Sequence, residues 1–300
     1  MATFTLAHLS DPHLPPLPAL RWRDFVGKRA LGYLNWTRNR HKYQRRDVLD
    51  ALVSDLQAQQ PDHIAITGDL VNLALEAEFA PARIWLESVG ASDRVTVVPG
   101  NHDAYVQVTR HRFAEVWGDY LRGDDAADGS APFPSIFPFL RRRGPLALIG
   151  VSSAVPTPPL MATGWLGRAQ LEALERILTQ LSGEQRFRVL LIHHPLRSES
   201  HAKRLTDSGP LQAMLKQHGV ELILHGHDHV HSTMWFDGPD GPIPAIGVPS
   251  ASTLAHGRYP AAAYNLFAIA RDGEGWRCEQ TVRGIDDALA IQQLRQVRLS

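Results

Sequence analysis

Residues 94–103 read RVTVVPGNHD, an apolar and β-branched run followed by a Pro-Gly turn and three polar side chains. A run of this kind predicts a buried strand over Arg94–Val98. The polar residues Asn101, His102 and Asp103 follow that strand directly. Open α/β sheets bind their ligands beyond the carboxyl ends of the strands, so this stretch predicts a functional site at such an end.

The same alternation of buried strand and polar turn recurs along the 300-residue chain. Further strands are predicted at Phe4–Leu9, His63–Thr67, Leu146–Val151, Arg188–Ile192 and Glu221–Leu224. Amphipathic helices between these strands predict a layered α/β fold. Beyond residue 240, the pattern predicts three strands, at Ile243–Val248, Ala262–Ile269 and Trp276–Val282. A terminal helix is predicted at Asp286–Gln296.

The composition, with 44% apolar and 21% charged residues, is that of one globular domain over residues 1–300. The 31 basic and 31 acidic residues cancel, so long nucleic acid is not expected as a partner. The single cysteine, Cys278, cannot form an intrachain disulfide and leaves nitrogen and oxygen ligands for any metal. The amino terminus does not resemble a signal peptide, which predicts a cytoplasmic protein, in peripheral contact with the inner membrane surface as an alternative.

Five clusters of chemistry-bearing residues follow predicted strands. Besides G-N-H-D at residues 100–103, they are D-P-H at Asp11 and His13, G-D at Asp69, H-H-P at His193, and G-H-D-H at His227 and His229. Residues two apart in extended backbone point the same way, so each D-x-H or H-x-H pair can present two ligands to one point.

In this order the motifs resemble those of the calcineurin-like metallophosphoesterase superfamily, over residues 11–229. The nearest branch is that of the bacterial class III cyclic nucleotide phosphodiesterases. The resemblance implies a four-layer α/β/β/α sandwich of two mixed β-sheets flanked by helices. It also implies two divalent metal ions, and imidazole, carboxylate and amide ligands suit Mn, Fe, Zn or Co.

The resemblance also implies roles for particular residues. One metal is held by Asp11, His13 and His229, the other by Asn101, His193 and His227, and Asp69 bridges the two. A hydroxide bridging the metals attacks phosphorus. His102 resembles the histidine that stabilises the transition state or protonates the leaving oxygen. Asp103 either orients the His102 imidazole or caps a helix.

Four residues are predicted to contact the substrate: His194, His201, Arg204 and Ser250. His194 follows the predicted ligand of H-H-P and faces the substrate or supports the ligands. His201 and Arg204 lie in the loop Arg197–Asp207 after that motif. Ser250 lies in V-P-S-A-S, residues 248–252, which resembles a Pro-Ser loop of the class III branch.

Two insertions interrupt the pattern. Residues 15–46 carry nine Lys or Arg residues, five large aromatics and the single acid Asp24. This composition suits an anionic lipid surface or a base with its phosphates, and also a helical cap whose aromatics pack on the domain. In each case the segment is expected to wall the substrate cleft. Residues 119–144, rich in Asp, Gly and Pro, are predicted to form a lid or a surface loop.

The motifs favour a phosphodiesterase acting on a small phosphodiester, either a cyclic nucleotide or a glycerophosphodiester. The alternative is a membrane-surface hydrolase of a lipid-linked phosphoester or pyrophosphate, similar to UDP-diacylglucosamine pyrophosphatase. A non-catalytic scaffold is disfavoured because His102 and every ligand position are present. The sequence leaves open the substrate, the metal, the oligomeric state and whether residues 15–46 bind lipid, substrate or a second subunit.

Overall fold

The computed structural model describes residues 3–24, 27–124, 136–286 and 290–300. The strands in these ranges are β1 (Phe4–Leu9), β2 (His63–Ile66), β3 (Val95–Val97), β4 (Phe139–Arg143), β5 (Leu146–Gly150), β6 (Phe187–Leu191), β7 (Leu222–His225), β8 (Ser232–Phe236), β9 (Ile243–Gly247), β10 (Ala263–Asp272), β11 (Gly275–Ile285) and β12 (Ile291–Arg298). The α-helices are α1 (Lys28–Asn35), α2 (His41–Tyr43), α3 (Arg46–Ala58), α4 (Glu76–Val89), α5 (Arg112–Trp117), α6 (Arg168–Leu181) and α7 (Ser208–His218).

The strands form two mixed sheets. The order in the first is β12-β11-β10-β1-β2-β3, with β1, β2 and β3 parallel. The order in the second is β4-β5-β6-β7-β9-β8, with β5, β6, β7 and β9 parallel. Within each sheet, the parallel strands therefore end at a common edge, where the polar motifs follow.

Alternating strand faces build the sandwich. In β5, Leu146 and Leu148 belong to the core shared with the first sheet, whereas Ala147 and Ile149 belong to the core made with α6 and α7. Helices α3 and α4 add their apolar faces to the core of the first sheet. The expected sandwich of two mixed sheets flanked by helices is confirmed.

The predicted terminal helix over Asp286–Gln296 is wrong. Ile291–Arg298 form β12, which pairs antiparallel with β11, and residues 287–289 lie outside the described residues. Apolar residues recur every third position in this strand, which imitates one face of a helix. Backbone pairing with the edge of β11 outweighs that local pattern.

The prediction of a loop over residues 119–144 is wrong at its carboxyl end, where Phe139–Arg143 form the edge strand β4. Arg141 in this strand is buried and donates hydrogen bonds to the carbonyl oxygens of Ser92 (2.7 Å) and Val95 (2.8 Å). Arg141, the first of three consecutive arginines at 141–143, therefore has a structural role. The middle of the predicted lid, residues 125–135, lies outside the described residues.

The segment 15–46 forms a largely helical cap beside the carboxyl ends of the strands. Helix α1 continues through a π-helical turn, Trp36–Arg40, into α2. The end of the cap is attached to the body, because Tyr43 O accepts the backbone N–H of Leu254 (2.9 Å) and the Tyr43 ring stacks on His256. Among the described residues, no helix is long and apolar enough to cross a membrane.

Candidate metal centre

The polar motifs lie in the loops that follow five parallel strands. Asp11 and His13 follow β1, Asp69 follows β2, Asn101 follows β3, His193 follows β6, and His227 and His229 follow β7. The fold brings all seven predicted ligand residues together between the two sheets, although two of those in contact are 218 positions apart in the sequence.

Five of these residues have backbone conformations that residues with side chains rarely adopt. Positive φ angles occur at Asp11 (53°), His13 (37°), Asp69 (55°), His227 (73°) and His229 (56°). Such a conformation costs on the order of 1–3 kcal/mol, and strain of this kind clusters at functional sites. The surrounding fold therefore holds these side chains in a convergent arrangement against their local preference.

The first ligand group consists of Asp11, His13, Asp69 and His229, whose candidate ligand atoms all lie within 4.8 Å of one another. His229 Nε2 lies 3.1 Å from Asp11 Oδ1 and 3.2 Å from His13 Nε2. Asp69 Oδ2 lies 3.7 Å from His13 Nε2. One cation at this point would have ligands from three separate loops.

The second ligand group lies on the other side of Asp69. His193 Nε2 lies 3.4 Å from Asp69 Oδ2 and 3.2 Å from Asn101 Oδ1. His227 Nδ1 lies 3.2 Å from the same His193 nitrogen. Because Asp69 Oδ2 adjoins both groups, the arrangement fits two cations that share this carboxylate.

The hydrogen bonds of two imidazoles show that the centre fits cations. His13 Nδ1 donates to Val71 O (3.3 Å), and His193 Nδ1 donates to Thr67 O (2.6 Å). Because Nδ1 is used in this way, Nε2 is the atom that each ring presents to the other ligand atoms, as a lone pair once Nε2 carries no proton. Converging lone pairs repel one another unless a cation lies between them. Imidazole and carboxylate donors suit a divalent transition metal or zinc.

The ionisation of the ligands is consistent with metal binding. Burial lowers the pKa of His13 and the pKa of His227 well below the usual value, so both rings are neutral. Burial opposes the charge of Asp69, but the charge and hydrogen bond of His193 hold the pKa of this carboxyl well below its usual value. Burial lowers the pKa of His193, but the carboxylates of Asp69 and Asp11 raise it to about 10, so a cation would displace a proton from this ring. Neutral imidazoles and ionised carboxylates are the forms that bind metals.

Two glycines allow the ligand loops to approach one another. A Cβ at Gly100 would collide with the carboxylate of Asp69, and a Cβ at Gly226 would collide with Ser10 and Asp11. Gly226 follows a strand of the second sheet and Ser10 a strand of the first. The glycine of G-H-D-H therefore stands where the two sheets come into contact.

His102 lies beside the ligand groups without joining them. Its Nδ1 donates to Asn72 O, and its ring packs edge-on against His13 with 4.8 Å between the ring centroids. Arg40 of the cap donates to His102 Nε2 (3.3 Å). Burial, with a further contribution from the Arg40 charge, lowers the pKa of His102 to about 3. The ring is therefore neutral and accepts the Arg40 hydrogen bond.

The prediction that Asp103 orients His102 is wrong, because the carbonyl oxygen of Asn72 holds the imidazole. Both oxygens of Asp103 accept hydrogen bonds from backbone N–H groups of two loops: Asp69 and Gly100 at 2.8 Å, Leu70 at 2.8 Å and Val71 at 3.1 Å. Asp103 therefore joins the G-D loop to the G-N-H-D loop and positions the shared ligand.

Two of the predicted substrate residues are buried behind the centre. His194 bonds through Nδ1 to Ser153 Oγ (2.7 Å) and through Nε2 to Ala162 O (3.1 Å). Ser250 Oγ donates to Asp11 O (2.6 Å). The polar atoms of both side chains therefore support the loops of the site, and their contact with a substrate stays a prediction.

The other two predicted substrate residues, His201 and Arg204, are exposed and bond to each other at 3.1 Å. Lys203, which lies between them in the sequence, lines the cavity instead. The cavity wall therefore receives a different side chain of this loop from those predicted, because side-chain direction in an irregular loop does not follow a regular period. Contact of His201 and Arg204 with a substrate stays a prediction.

A cavity of about 590 Å³ opens in front of the metal ligands. The cap walls one side with Arg40 and Tyr43, and Lys203 and Tyr259 wall another. The two cationic side chains attract a phosphate anion. Sequence reasoning did not single out Arg40, because nothing in the composition of residues 15–46 distinguishes it from the other eight cations.

The profile of the calcineurin-like phosphoesterases matches residues 4–231 of the chain. The chain belongs to the calcineurin-like phosphoesterase family. This confirms the resemblance that the motifs indicated. Membership implies a metal-dependent phosphoester hydrolase, and the family typically binds two divalent metals. No curated protein matches the chain.

Several solved structures resemble this calcineurin-like phosphoesterase. A dimetal phosphatase from Danio rerio is 12% identical with a TM-score of 0.59, over 99% of this chain and 98% of its own. A purple acid phosphatase from yellow lupin (Lupinus luteus) is 12% identical with a TM-score of 0.63, over 99% and 53%. A 5′-nucleotidase precursor from Thermus thermophilus is 13% identical with a TM-score of 0.53, over 99% and 54%. The chain spans about half the length of the last two, and identities this low show the fold alone.

Proposed function

We propose that this calcineurin-like phosphoesterase hydrolyses small phosphodiesters. The observation that carries the proposal is that two cavities adjoin at His102. One is the cavity of about 590 Å³ in front of the metal ligands, and the other, of about 320 Å³, lies beneath the cap. Asn101, His102 and Arg40 line both. A phosphodiester has an organic group on each of two ester oxygens, so two adjoining cavities provide room for both groups.

The chain's own residues supply binding, orientation and proton transfer. Divalent ions held by the two ligand groups would act as Lewis acids toward the phosphoryl oxygens and the attacking water. Arg40 and Lys203 bind the phosphate oxygens from the cavity side. His102, oriented by Asn72 O, presents Nε2 to the leaving alcohol oxygen. In the free protein this ring is neutral and accepts the Arg40 hydrogen bond. When Arg40 turns to the bound phosphate anion, Nε2 takes up a proton from water and gives it to the leaving oxygen while the bond to phosphorus breaks.

Glycerophosphodiesters and cyclic nucleotides are the candidate small substrates. The Pro-Ser loop around Ser250 favoured cyclic nucleotides, but the Ser250 hydroxyl is buried and bonded to the backbone of Asp11. Glycerophosphodiesters do not depend on that residue, so we propose them first.

A second candidate function is hydrolysis of a lipid-linked phosphoester or pyrophosphate at a membrane surface. The observation that favours it is the exposure of large apolar side chains on the cap: Trp22 is 87% exposed, Leu31 45% and Leu34 42%. Apolar side chains among cations suit an anionic membrane surface.

Rates with bis-p-nitrophenyl phosphate and p-nitrophenyl phosphate test the proposal, using protein loaded with Mn²⁺. We expect kcat/KM for the diester to exceed that for the monoester. Hydrolysis of the monoester alone would indicate a phosphatase, and no hydrolysis by protein with two bound metals would indicate a scaffold. Glycerophosphocholine, 3′,5′-cyclic AMP and a nucleotide-linked lipid then separate the candidate substrates.

A further inference from the structure

The cavity beneath the cap has a largely apolar wall. Its volume of about 320 Å³ lies within the range of ligand sites. Apolar side chains come from the cap, the body and the loop after β5: Leu31, Trp36, Leu73, Tyr105, Leu160 and Met161. None of these residues belongs to the metal centre.

Lys28 ties the cap to the loop after β5 beside this cavity. Its ammonium group donates to Thr157 Oγ1 (2.6 Å) and Met161 O (2.9 Å), and it lies 4.4 Å from the centroid of the Tyr105 ring. Arg29 Nε adds a hydrogen bond to a carbonyl oxygen of the loop after β2 (3.1 Å). The cavity is therefore lined by elements that are bonded to one another.

Two leucines that line this cavity are largely exposed to solvent. Leu31 is 45% exposed, and Leu160 is 86% exposed at a φ of 66°. Neither leucine gains the full free energy of burial in the free protein, and Leu160 also bears the cost of a left-handed backbone conformation. An apolar ligand group in the cavity would bury part of both side chains.

Cationic residues stand at the junction of the apolar cavity with the metal-site cavity. Arg40 and Lys203 line both cavities, as does His102. A phosphate bound at this junction directs one substituent into the apolar cavity and the other into the metal-site cavity. Cations beside an apolar cavity suit a molecule whose anionic phosphate binds the cations and whose apolar chain enters the cavity.

We propose that the cavity beneath the cap binds the apolar chain of an amphiphilic phosphodiester. The inference rests on the proposed phosphodiesterase function and deepens it by naming the substrate class, a phosphodiester with one alkyl or acyl chain. A glycerophosphodiester that carries an acyl chain belongs to this class. Compact polar diesters leave the cavity empty and are poorer substrates.

The dependence of the rate on chain length tests this inference. p-Nitrophenyl alkyl phosphates with methyl, butyl and octyl groups share one leaving group, so only the other substituent changes. All are used below the concentration at which micelles form. Each methylene buried in the cavity is expected to raise kcat/KM about fourfold, so the octyl diester should exceed the methyl diester by more than about tenfold.

Paired variants locate the effect. Leu31→Gln combined with Leu160→Gln makes the wall polar, and we expect it to remove most of the increase from methyl to octyl. Ile84→Gln on α4 is the matched control, because Ile84 is 66% exposed and lines neither cavity. The control should keep the increase that the parent shows, and equal behaviour of the two variants would overturn the inference.

If the parent hydrolyses the methyl diester and its kcat/KM does not rise with chain length, the inference is overturned and the phosphodiesterase function is left intact. Failure to hydrolyse any diester overturns the proposed function. Calorimetric binding of methyl octyl phosphate against dimethyl phosphate then decides the inference by itself, and equal affinities overturn it. If the inference is upheld, hydrolysis of lysophosphatidylglycerol, which has one acyl chain, held in phosphatidylcholine vesicles identifies a bilayer lipid as the source. Hydrolysis of the soluble octyl diester alone identifies a free amphiphile.

Discussion

The carboxylate of Asp69 lies between the two groups of metal ligands. Its Oδ2 faces His13 Nε2 at 3.7 Å and His193 Nε2 at 3.4 Å, and its Oδ1 accepts the backbone N–H of His102 at 2.7 Å. Removing the charge of Asp69 therefore weakens both groups. The side chain of His102 belongs to neither group, so its removal tests the chemistry separately from metal binding.

Asp69→Asn is expected to lose bound metal together with activity. His102→Ala is expected to retain both metals and to lose about 10²–10⁴-fold in kcat, the usual contribution of a general acid. Elemental analysis and steady-state kinetics on the same preparations separate the two effects. Unchanged turnover in His102→Ala would remove its catalytic role.

Arg40 is expected to bind the substrate phosphate from the cap, because it donates to His102 Nε2 and lines both cavities. Arg40→Gln should lower kcat/KM by about 10–100-fold, the equivalent of one charged hydrogen bond. Arg38→Gln alters an exposed arginine in the same π-helical turn and should match the parent. Similar kinetics for the two variants would show that Arg40 does not contact the substrate.

At the scale of elements, the first turn of α4 positions the loop that orients His102. Glu78 is buried, and its carboxylate accepts the backbone N–H groups of Asn72 (2.7 Å), Leu73 (3.0 Å) and Leu75 (2.8 Å). The carbonyl oxygen of the same Asn72 accepts the hydrogen bond from His102 Nδ1. Helix α4 therefore influences the site through the loop alone.

Glu78→Ala leaves three backbone N–H groups without their acceptor. We expect the free energy of unfolding, measured in urea, to fall by about 3 kcal/mol, and kcat to fall because His102 loses its orientation. Glu87→Gln on the same helix is the control. It alters an exposed ion pair with Arg83, so the free energy of unfolding should change by less than about 1 kcal/mol. Parent-like stability of Glu78→Ala would contradict this role.

At the scale of the whole molecule, the metal centre is also where the two sheets are joined. His193 of the second sheet donates to Thr67 O of the first (2.6 Å), and the backbone N–H of His227 donates to Asp11 Oδ2 (3.1 Å). Cations at this position would take ligands from both sheets. Metal binding should therefore stabilise the folded sandwich as well as support the reaction.

Removal of metal with a chelator is expected to lower Tm, and Mn²⁺ or Zn²⁺ should restore it. A metal that binds only the folded protein contributes about 2.7 kcal/mol at one hundred times its Kd. Thermal unfolding with EDTA and with increasing metal gives the shift directly. Asp69→Asn should show a much smaller shift, and an equal Tm with and without metal would contradict the proposed centre.

Local patterns were enough to predict the layered α/β fold, and the resemblance to the family that the motifs carry predicted the seven residues that meet at the metal centre. Short apolar runs and turn residues mark the strands, and parallel strands in a sheet must end at one edge. Residues that follow such strands, including Asp11 and Asn101, are therefore brought close whatever the details of the loops. Motif order then supplied the family.

Tertiary structure alone decided the features that depend on distant backbone or on side-chain direction. The final segment became β12 because β11 offered an edge for pairing. Asp103 and Ser250 bond to backbone groups of other loops, and a carbonyl oxygen holds the His102 ring in place of Asp103. The packing of the cap decides which of its nine cations reaches His102. Only the folded chain places Arg40 beside that ring.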